Sequence, residues 1–110
     1  MNNYTVDRNR WSKMTIFEQM GNISSEVGRS FGAKRKGELK EKDQATFRAI
    51  DLFDATVDDL VEKKSVKSRE VLRAKEEFLK CIYDDNPDNK NVSKLEKYFL
   101  DFAVVARKHR

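Results

Sequence analysis

The sequence predicts an all-α protein: an antiparallel up-down-up-down four-helix bundle (residues 15–110) preceded by a short N-terminal arm (residues 1–14). Apolar residues recur at helical spacing in four stretches, and short polar segments separate these stretches. The only proline is Pro87 and 38% of the residues are charged, which is typical of a helical protein with a solvated surface rather than a β-fold. A chain of 110 residues has room for one domain.

The arm shows no apolar period, and the first helix begins where that period starts. Thr15 and Glu18 have the spacing of a capping box, in which each side chain satisfies a free backbone amide of the first turn. The apolar stripe of this helix consists of Ile16, Met20, Ile23, Val27 and Phe31. Its spacings of three and four predict one continuous buried face.

Small residues form a second stripe on the same helix, at Gly21, Ser25, Gly28 and Gly32. An interior glycine costs roughly 1 kcal/mol relative to alanine, and close approach of another helix would compensate for that cost. We therefore expect Gly21, Ser25 and Gly28 to be helix-packing residues; the alternative is that the glycines are tolerated surface positions. Gly32 is expected to end the helix in a left-handed conformation.

The other three helices follow from their apolar stripes. The second and longest runs to about Lys64, and its inward residues are Leu39, Phe47, Ile50, Phe53, Val57, Leu60 and Val61. Ser65 or Ser68 is expected to cap the third, whose stripe is Val71, Leu72, Phe78, Leu79, Ile82 and Tyr83. A turn at 84–89 precedes the fourth, which Asn91 caps and whose stripe is Val92, Leu95, Tyr98, Phe99, Phe102, Ala103 and Ala106.

Residues suited to catalysis are scarce, so the sequence predicts neither an enzyme nor a cofactor. His109 is the only histidine, Cys81 is the only cysteine, and no glycine-rich phosphate loop occurs. Without a base nearby, Cys81 is best interpreted as a small hydrophobic residue. Carboxylates on the outer face of the second helix could suggest a metal site, but such sites in bundles also use histidine, so a solvated acidic face is favoured: Asp51, Asp54, Asp58, Asp59 and Glu62.

The sequence predicts neither a membrane helix nor a secretory signal. Its longest apolar run is far too short to span a bilayer, and residues 1–8 lack the apolar core of a signal peptide. A single cysteine fits a reducing compartment. We therefore expect a cytoplasmic protein.

Charge is distributed unevenly between the two ends of the predicted bundle. The first and third connections share one end, where Lys34, Arg35, Lys36, Lys40 and Lys42 would offset Asp84, Asp85 and Asp88. The other end gathers the arm, the second connection and the C-terminus. Its basic residues are Arg8, Arg10, Lys13, Lys63, Lys64, Lys67, Arg69, Arg107, Lys108 and Arg110. The net charge of +4 therefore conceals one strongly basic end.

Such an end is suited to phosphate backbones, and Trp11 could stack on unpaired bases. We therefore predict a nucleic-acid-binding protein, for RNA or single-stranded DNA, with these residues and Trp11 as its site. Two alternatives stay open. Cations at helix C-termini are favoured by the helix dipole without any ligand, and the chain could be a protein-interaction module that assembles or regulates a partner enzyme.

Three segments carry a resemblance to a group of small bacterial four-helix proteins. They are EQMGNISSEVGR at 18–29, FRAIDL at 47–52 and KYFLDFAVVAR at 97–107. The similarity spans residues 11–110. In architecture alone, the chain also resembles proteins encoded in ribosomal-RNA intervening sequences and the basic accessory proteins of diversity-generating reverse transcriptases. The resemblance implies an accessory subunit that binds nucleic acid and a partner such as a reverse transcriptase, and a ring-shaped oligomer.

Large aromatic residues and the glycine stripe together predict self-association. Phe17, Tyr98 and Phe99 lie near what must be a thin core in a chain of this length, and the stripe offers a second docking surface. We therefore expect a homo-oligomer. Phe47, Phe78 and Phe102 are expected to anchor the core of each copy.

Overall fold

The computed structural model describes residues 6–108, and this part of the chain is helical throughout, without a β-strand. The helices are α1 (Arg8–Ser12), α2 (Ile16–Arg35), α3 (Leu39–Glu62), α4 (Ser68–Tyr83) and α5 (Asn89–Lys108). The predicted all-α class is confirmed, and the four long helices coincide with the four periodic stretches. The short α1 lies inside the predicted arm. No described helix is long and apolar enough to cross a membrane.

The helix boundaries test the capping predictions individually. The capping box is confirmed, since the Glu18 amide donates to Thr15 Oγ1 over 3.1 Å and the Thr15 amide donates to Glu18 Oε1 over 2.9 Å. Gly32 does not end its helix: α2 continues to Arg35, and Gly37 takes the left-handed conformation with φ +74°. A glycine fits there because it has no Cβ to clash.

The two later caps were assigned to the wrong residues. Asn91 lies inside α5, which begins at Asn89, and the Asp88 carboxylate accepts the Lys90 amide over 2.9 Å. Before α4, the residue in the cap position is Lys67, whose side chain makes no capping hydrogen bond. Ser65 instead accepts the Lys67 amide over 3.2 Å. In both places a polar side chain two residues before the donating amide provides the local hydrogen bond.

The core lies where α2 meets α3, α4 and α5, and α2 makes its most extensive contacts with α3 and α5. Phe53 of α3 is central: its ring centroid lies 6.0 Å from that of Phe78 and 5.7 Å from that of Phe99. Phe31 of α2 meets Phe78 edge-on at 5.7 Å. These rings are fully or almost fully buried, so one aromatic cluster joins the four long helices.

Three apolar residues assigned to the buried face of α3 are exposed instead. Leu39 and Phe47 are each 62% exposed, and Val61 is 59% exposed. The buried face of α3 is lined by smaller residues, including Ala45, Thr46, Ala49, Ala55 and Thr56. Threonine can be buried there because its hydroxyl is hydrogen-bonded, as when Thr46 donates to the Lys42 carbonyl over 2.7 Å. Phe47 is therefore not a core anchor.

The outer parts of the predicted stripes on α4 and α5 are also only partly covered. Leu72 and Tyr83 are exposed, and Phe102 is half-buried beside Phe17. Tyr98 is half-buried, and its hydroxyl donates to Glu70 over 2.9 Å. Burial, together with this neighbouring carboxylate, raises the pKa of Tyr98 well above its ordinary value. This contact links α5 to the first turn of α4.

Candidate nucleic-acid interface

Side-chain contacts define which connections lie together. At one end, Lys34 Nζ donates to the carbonyl oxygens of Cys81 and Asp84, which joins the end of α2 to the end of α4. At the other, Lys63 Nζ donates to the Ser12 carbonyl over 2.8 Å, which joins the end of α3 to α1. The last turns of α5 lie beside the first turns of α2, at the same end as the contact between Lys63 and Ser12. We call the surface formed by residues 8–13, 63–69 and 104–108 the basic end.

Trp11 belongs to the core rather than to the surface of the basic end. Its side chain is only 6% exposed, and its indole N–H donates to Thr56 Oγ1 over 2.9 Å. The Gln19 side-chain amide donates to the Trp11 carbonyl over 2.8 Å. The indole ring is therefore covered and unavailable for stacking on a base, contrary to the role predicted for it. Its task is to hold α1 against α2 and α3.

Two of the predicted binding cations are also used to hold α1 in place. Arg8 forms a 2.7 Å ion pair with Asp58. Lys63 forms a 2.8 Å ion pair with Asp59, in addition to its bond with Ser12. Asp59 is 8% exposed and also accepts the Gln19 amide over 3.1 Å. A side chain with this many partners would have to lose them before it could bind a phosphate.

The remaining described cations of the basic end form no ion pair with any described residue. They are Arg10, Lys13, Lys64, Lys67, Arg69, Arg107 and Lys108. All seven are exposed. Arg110, which was also predicted to bind, lies outside the described residues.

The carboxylates that flank the basic end, Asp7, Glu62 and Glu70, form no ion pair with these cations. Asp7 accepts the amides of Asn9 and Arg10 and so caps α1. Glu70 accepts the Tyr98 hydroxyl. Only the exposed Glu62 has no partner among the described residues. The basic end therefore has a clear excess of unpaired positive charge, carried by three separate segments of the chain.

Lys64 occupies a backbone conformation that normally favours glycine. Its φ of 58° makes it the one non-glycine residue in the left-handed region among those described. The same conformation after α2, at the opposite end, is taken by Gly37. A side chain in this region costs roughly 1–2 kcal/mol. A lysine thus occupies a strained turn where a glycine would relieve the strain, and strain of this kind is concentrated at functional sites.

The acidic side chains along α3 form hydrogen bonds and ion pairs with neighbouring segments of the chain. Asp51 accepts the Val6 amide over 2.8 Å, and Asp54 forms a 2.7 Å ion pair with Lys75 of α4. Together with the pairs of Asp58 and Asp59, these contacts fasten α1 and α4 to α3. The prediction of a solvated acidic face is therefore incomplete, because these carboxylates also bind neighbouring segments. No group of side chains among residues 6–108 has the composition of a metal site.

Cys81 is half-buried between α4 and α5. Burial raises the pKa of its thiol, with further contributions from the Glu77 and Asp84 carboxylates. A raised pKa disfavours the thiolate, which is the reactive form.

The glycine stripe is divided between two environments. A Cβ at Gly21 would lie 3.4 Å from Ala103 Cα, so α2 and α5 approach each other closely there. Gly28 has nothing within 4 Å of such a position, and Ser25 is exposed, its hydroxyl donating to the Gly21 carbonyl over 3.4 Å. Within one copy, close packing thus accounts for Gly21 but not for Ser25 or Gly28.

Comparison of the chain with protein-family models, curated proteins and solved structures finds no match. The resemblance to intervening-sequence proteins and to reverse-transcriptase accessory proteins thus stays an expectation, and function has to be inferred from geometry.

Proposed function

We propose that this protein is a non-enzymatic accessory subunit that binds nucleic acid through its basic end. The observation that carries the proposal is the group of unpaired, exposed cations defined above, drawn from α1, the α3–α4 connection and the end of α5. Cations that come from three segments form a two-dimensional array, which suits the repeating phosphates of a nucleic acid backbone. Helix-dipole effects favour the cations at the C-terminal ends of α1, α3 and α5, but they do not explain Lys67 and Arg69, which lie at the N-terminal end of α4.

The burial of Trp11 changes how such binding would work. Base stacking on the indole is removed, and Phe17, in the first turn of α2, is only 40% exposed and packs against Phe102. Phosphate contacts would then supply most of the affinity. We therefore propose backbone recognition with little base preference, for RNA or single-stranded DNA.

The finer structural expectations belong to the same proposal. An antiparallel up-down-up-down arrangement of α2–α5 is supported by contacts between α2 and α3, where Gln19 meets Asp59 and Ser30 meets Thr46. We propose that this is a bacterial, cytoplasmic protein that forms a homo-oligomer and has a protein partner such as a reverse transcriptase. A purely protein-binding module is the alternative.

A charge-matched pair of variants tests the proposal. Lys64, Lys67 and Arg69 are replaced together by glutamine, and the control replaces Lys40, Lys90 and Lys94, which are exposed and also form no ion pair with a described residue. Both triples remove three positive charges, but only the first lies at the basic end. Fluorescence anisotropy with single-stranded RNA, duplex RNA and single-stranded DNA should show a much larger loss for the first triple.

Other outcomes would point elsewhere. Equal losses for the two triples would indicate non-specific attraction by net charge. Val66 lies between Lys64 and Lys67 and is 91% exposed, so anionic lipid vesicles are included as a rival ligand. Binding to vesicles but not to RNA would contradict the proposal, and binding to neither near physiological salt would favour the protein-interaction module.

A further inference from the structure

The connection between α3 and α4 presents one apolar side chain within the basic end. Val66 is 91% exposed, more than any other large hydrophobic side chain in the described part of the chain. An isolated exposed valine is ordinary on a protein surface, so its surroundings carry the argument. Lys64 and Lys67 flank it, and both are exposed and form no ion pair with a described residue. Val66 is thus an apolar group set between two available cations.

Hydrogen bonds hold the backbone on both sides of this valine. Helix α3 ends in a Schellman motif, in which the Ser65 amide donates to the Leu60 carbonyl over 2.8 Å and Lys64 takes the left-handed conformation. On the other side, the Lys67 amide donates to Ser65 Oγ over 3.2 Å. The position of Val66 relative to the two lysines is therefore fixed before a ligand binds, which lowers the entropy cost of using it as a contact.

A nucleic acid strand bound by these lysines would bring its own bases close to the valine. In a single strand the flat faces of the bases are free, and an apolar side chain gains by covering one of them. In a duplex the same faces are stacked on neighbouring base pairs, so a backbone contact exposes no face to Val66. A valine side chain has no hydrogen-bond donor or acceptor, so it distinguishes free faces from stacked ones without reading base identity.

We propose that Val66 contacts the bases of an unpaired strand whose phosphates are bound by the neighbouring cations, so that the basic end prefers single-stranded RNA or DNA to a duplex. This inference rests on the proposed function and names the class of nucleic acid that the basic end binds. It agrees with the low base preference proposed above, because contact with base faces is tolerant of sequence. The cations supply most of the affinity, and the valine supplies the selectivity.

Val66→Ser tests the contact without changing any charge. Losing the apolar cover should weaken binding to single-stranded RNA by about three- to tenfold. Binding to duplex RNA and the salt dependence of single-strand binding should both stay as in wild type, because every phosphate contact remains. Thermal unfolding should also be unchanged, since the side chain is almost fully exposed. Val66→Phe, which offers an aromatic ring for stacking, should strengthen binding to the single strand by about threefold or more.

Two control variants separate the base contact from its surroundings. Leu39→Ser removes another exposed apolar side chain, which lies beside the unpaired Lys40 but at the opposite end of the bundle, and it should alter neither affinity. Lys67→Gln removes a phosphate contact instead. It should weaken binding to single-stranded and duplex RNA alike and lower the salt dependence, which Val66→Ser should not do.

The possible failures are distinguishable from one another. A Val66→Ser protein that binds single-stranded RNA as tightly as wild type, or that loses single-strand and duplex binding equally, would overturn this inference and leave the proposed function intact. Loss of binding to phosphatidylserine vesicles with unchanged RNA affinity would assign Val66 to a membrane contact and would also overturn it. A wild-type protein that binds no RNA would refute the proposed function and this inference together.

Discussion

Replacing Lys64 by glycine tests two properties of this residue separately: the strain of its backbone and its proposed contact with a phosphate. The left-handed backbone of Lys64 is strained by roughly 1–2 kcal/mol because the residue carries a side chain, and glycine removes this strain. Glycine also makes the unfolded chain more flexible, which lowers the free energy of unfolding by about 0.5–1 kcal/mol. The variant should therefore gain about 0.5–1 kcal/mol. For a domain of this size, that gain corresponds to a rise in Tm of roughly 2–8 °C.

The same change removes one cation from the proposed phosphate array. One phosphate contact with a single strand accounts for a slope of about 0.7 in the salt dependence, which corresponds to about fourfold in affinity near physiological salt. Lys64→Gly should thus bind single-stranded RNA about fourfold more weakly although it is more stable. Lys64→Ala is the matched control, because it loses the charge but keeps the strain, so its affinity should fall equally without the gain in Tm.

Thermal unfolding followed by circular dichroism, and RNA binding followed by fluorescence anisotropy, measure the two effects on the same samples. If Lys64→Gly were stabilised but bound RNA as tightly as wild type, the lysine would have no role in binding. If it were destabilised, the strain argument for this turn would be wrong.

Two stability predictions check the packing. Trp11→Ala should cost about 3–5 kcal/mol in chemical denaturation, because it empties a buried site and releases α1, whereas Trp11→Phe should cost less and leave Thr56 Oγ1 without its donor; a Trp11→Ala protein as stable as wild type would show that α1 is not docked. Phe78→Ala should likewise cost about 3–5 kcal/mol, while Phe47→Ala should change stability by no more than about 1 kcal/mol because its ring is 62% exposed. Equal losses of stability for Phe78→Ala and Phe47→Ala would show that Phe47 is buried, as its apolar spacing on α3 predicted.

The fold was predictable from the sequence where burial and apolarity coincide. Met20, Val27, Phe31, Phe53 and Phe78 fall on predicted stripes and are buried. The prediction failed on α3, where small and hydroxyl-bearing residues line the core and Phe47 points away from it. Apolar periodicity weights large hydrophobic residues, so it cannot detect a face that is buried because other helices approach it closely.

The candidate site was predictable as a set of charges but not as a set of available groups. The order of the helices placed the connection that contains Lys63 and Lys64 beside the N-terminal arm, and Lys63 does bind Ser12 there. The sequence could not show that Lys63 is bound to Ser12 and Asp59 while Lys64 has no ionic partner among the described residues. The docking of Trp11 was missed for the same reason: its partner Thr56 is 45 residues away, and no local signal joins them.

The salt dependence of RNA binding tests the central proposal most directly. With seven unpaired cations at the basic end, log Kd for single-stranded RNA should rise with log salt with a slope of up to about 5 for wild type. Replacing Lys64, Lys67 and Arg69 with glutamine should lower that slope by up to about 2, and the Lys40, Lys90 and Lys94 control should leave it unchanged. Equal slopes for wild type and the basic-end triple would contradict a phosphate-binding role for this surface.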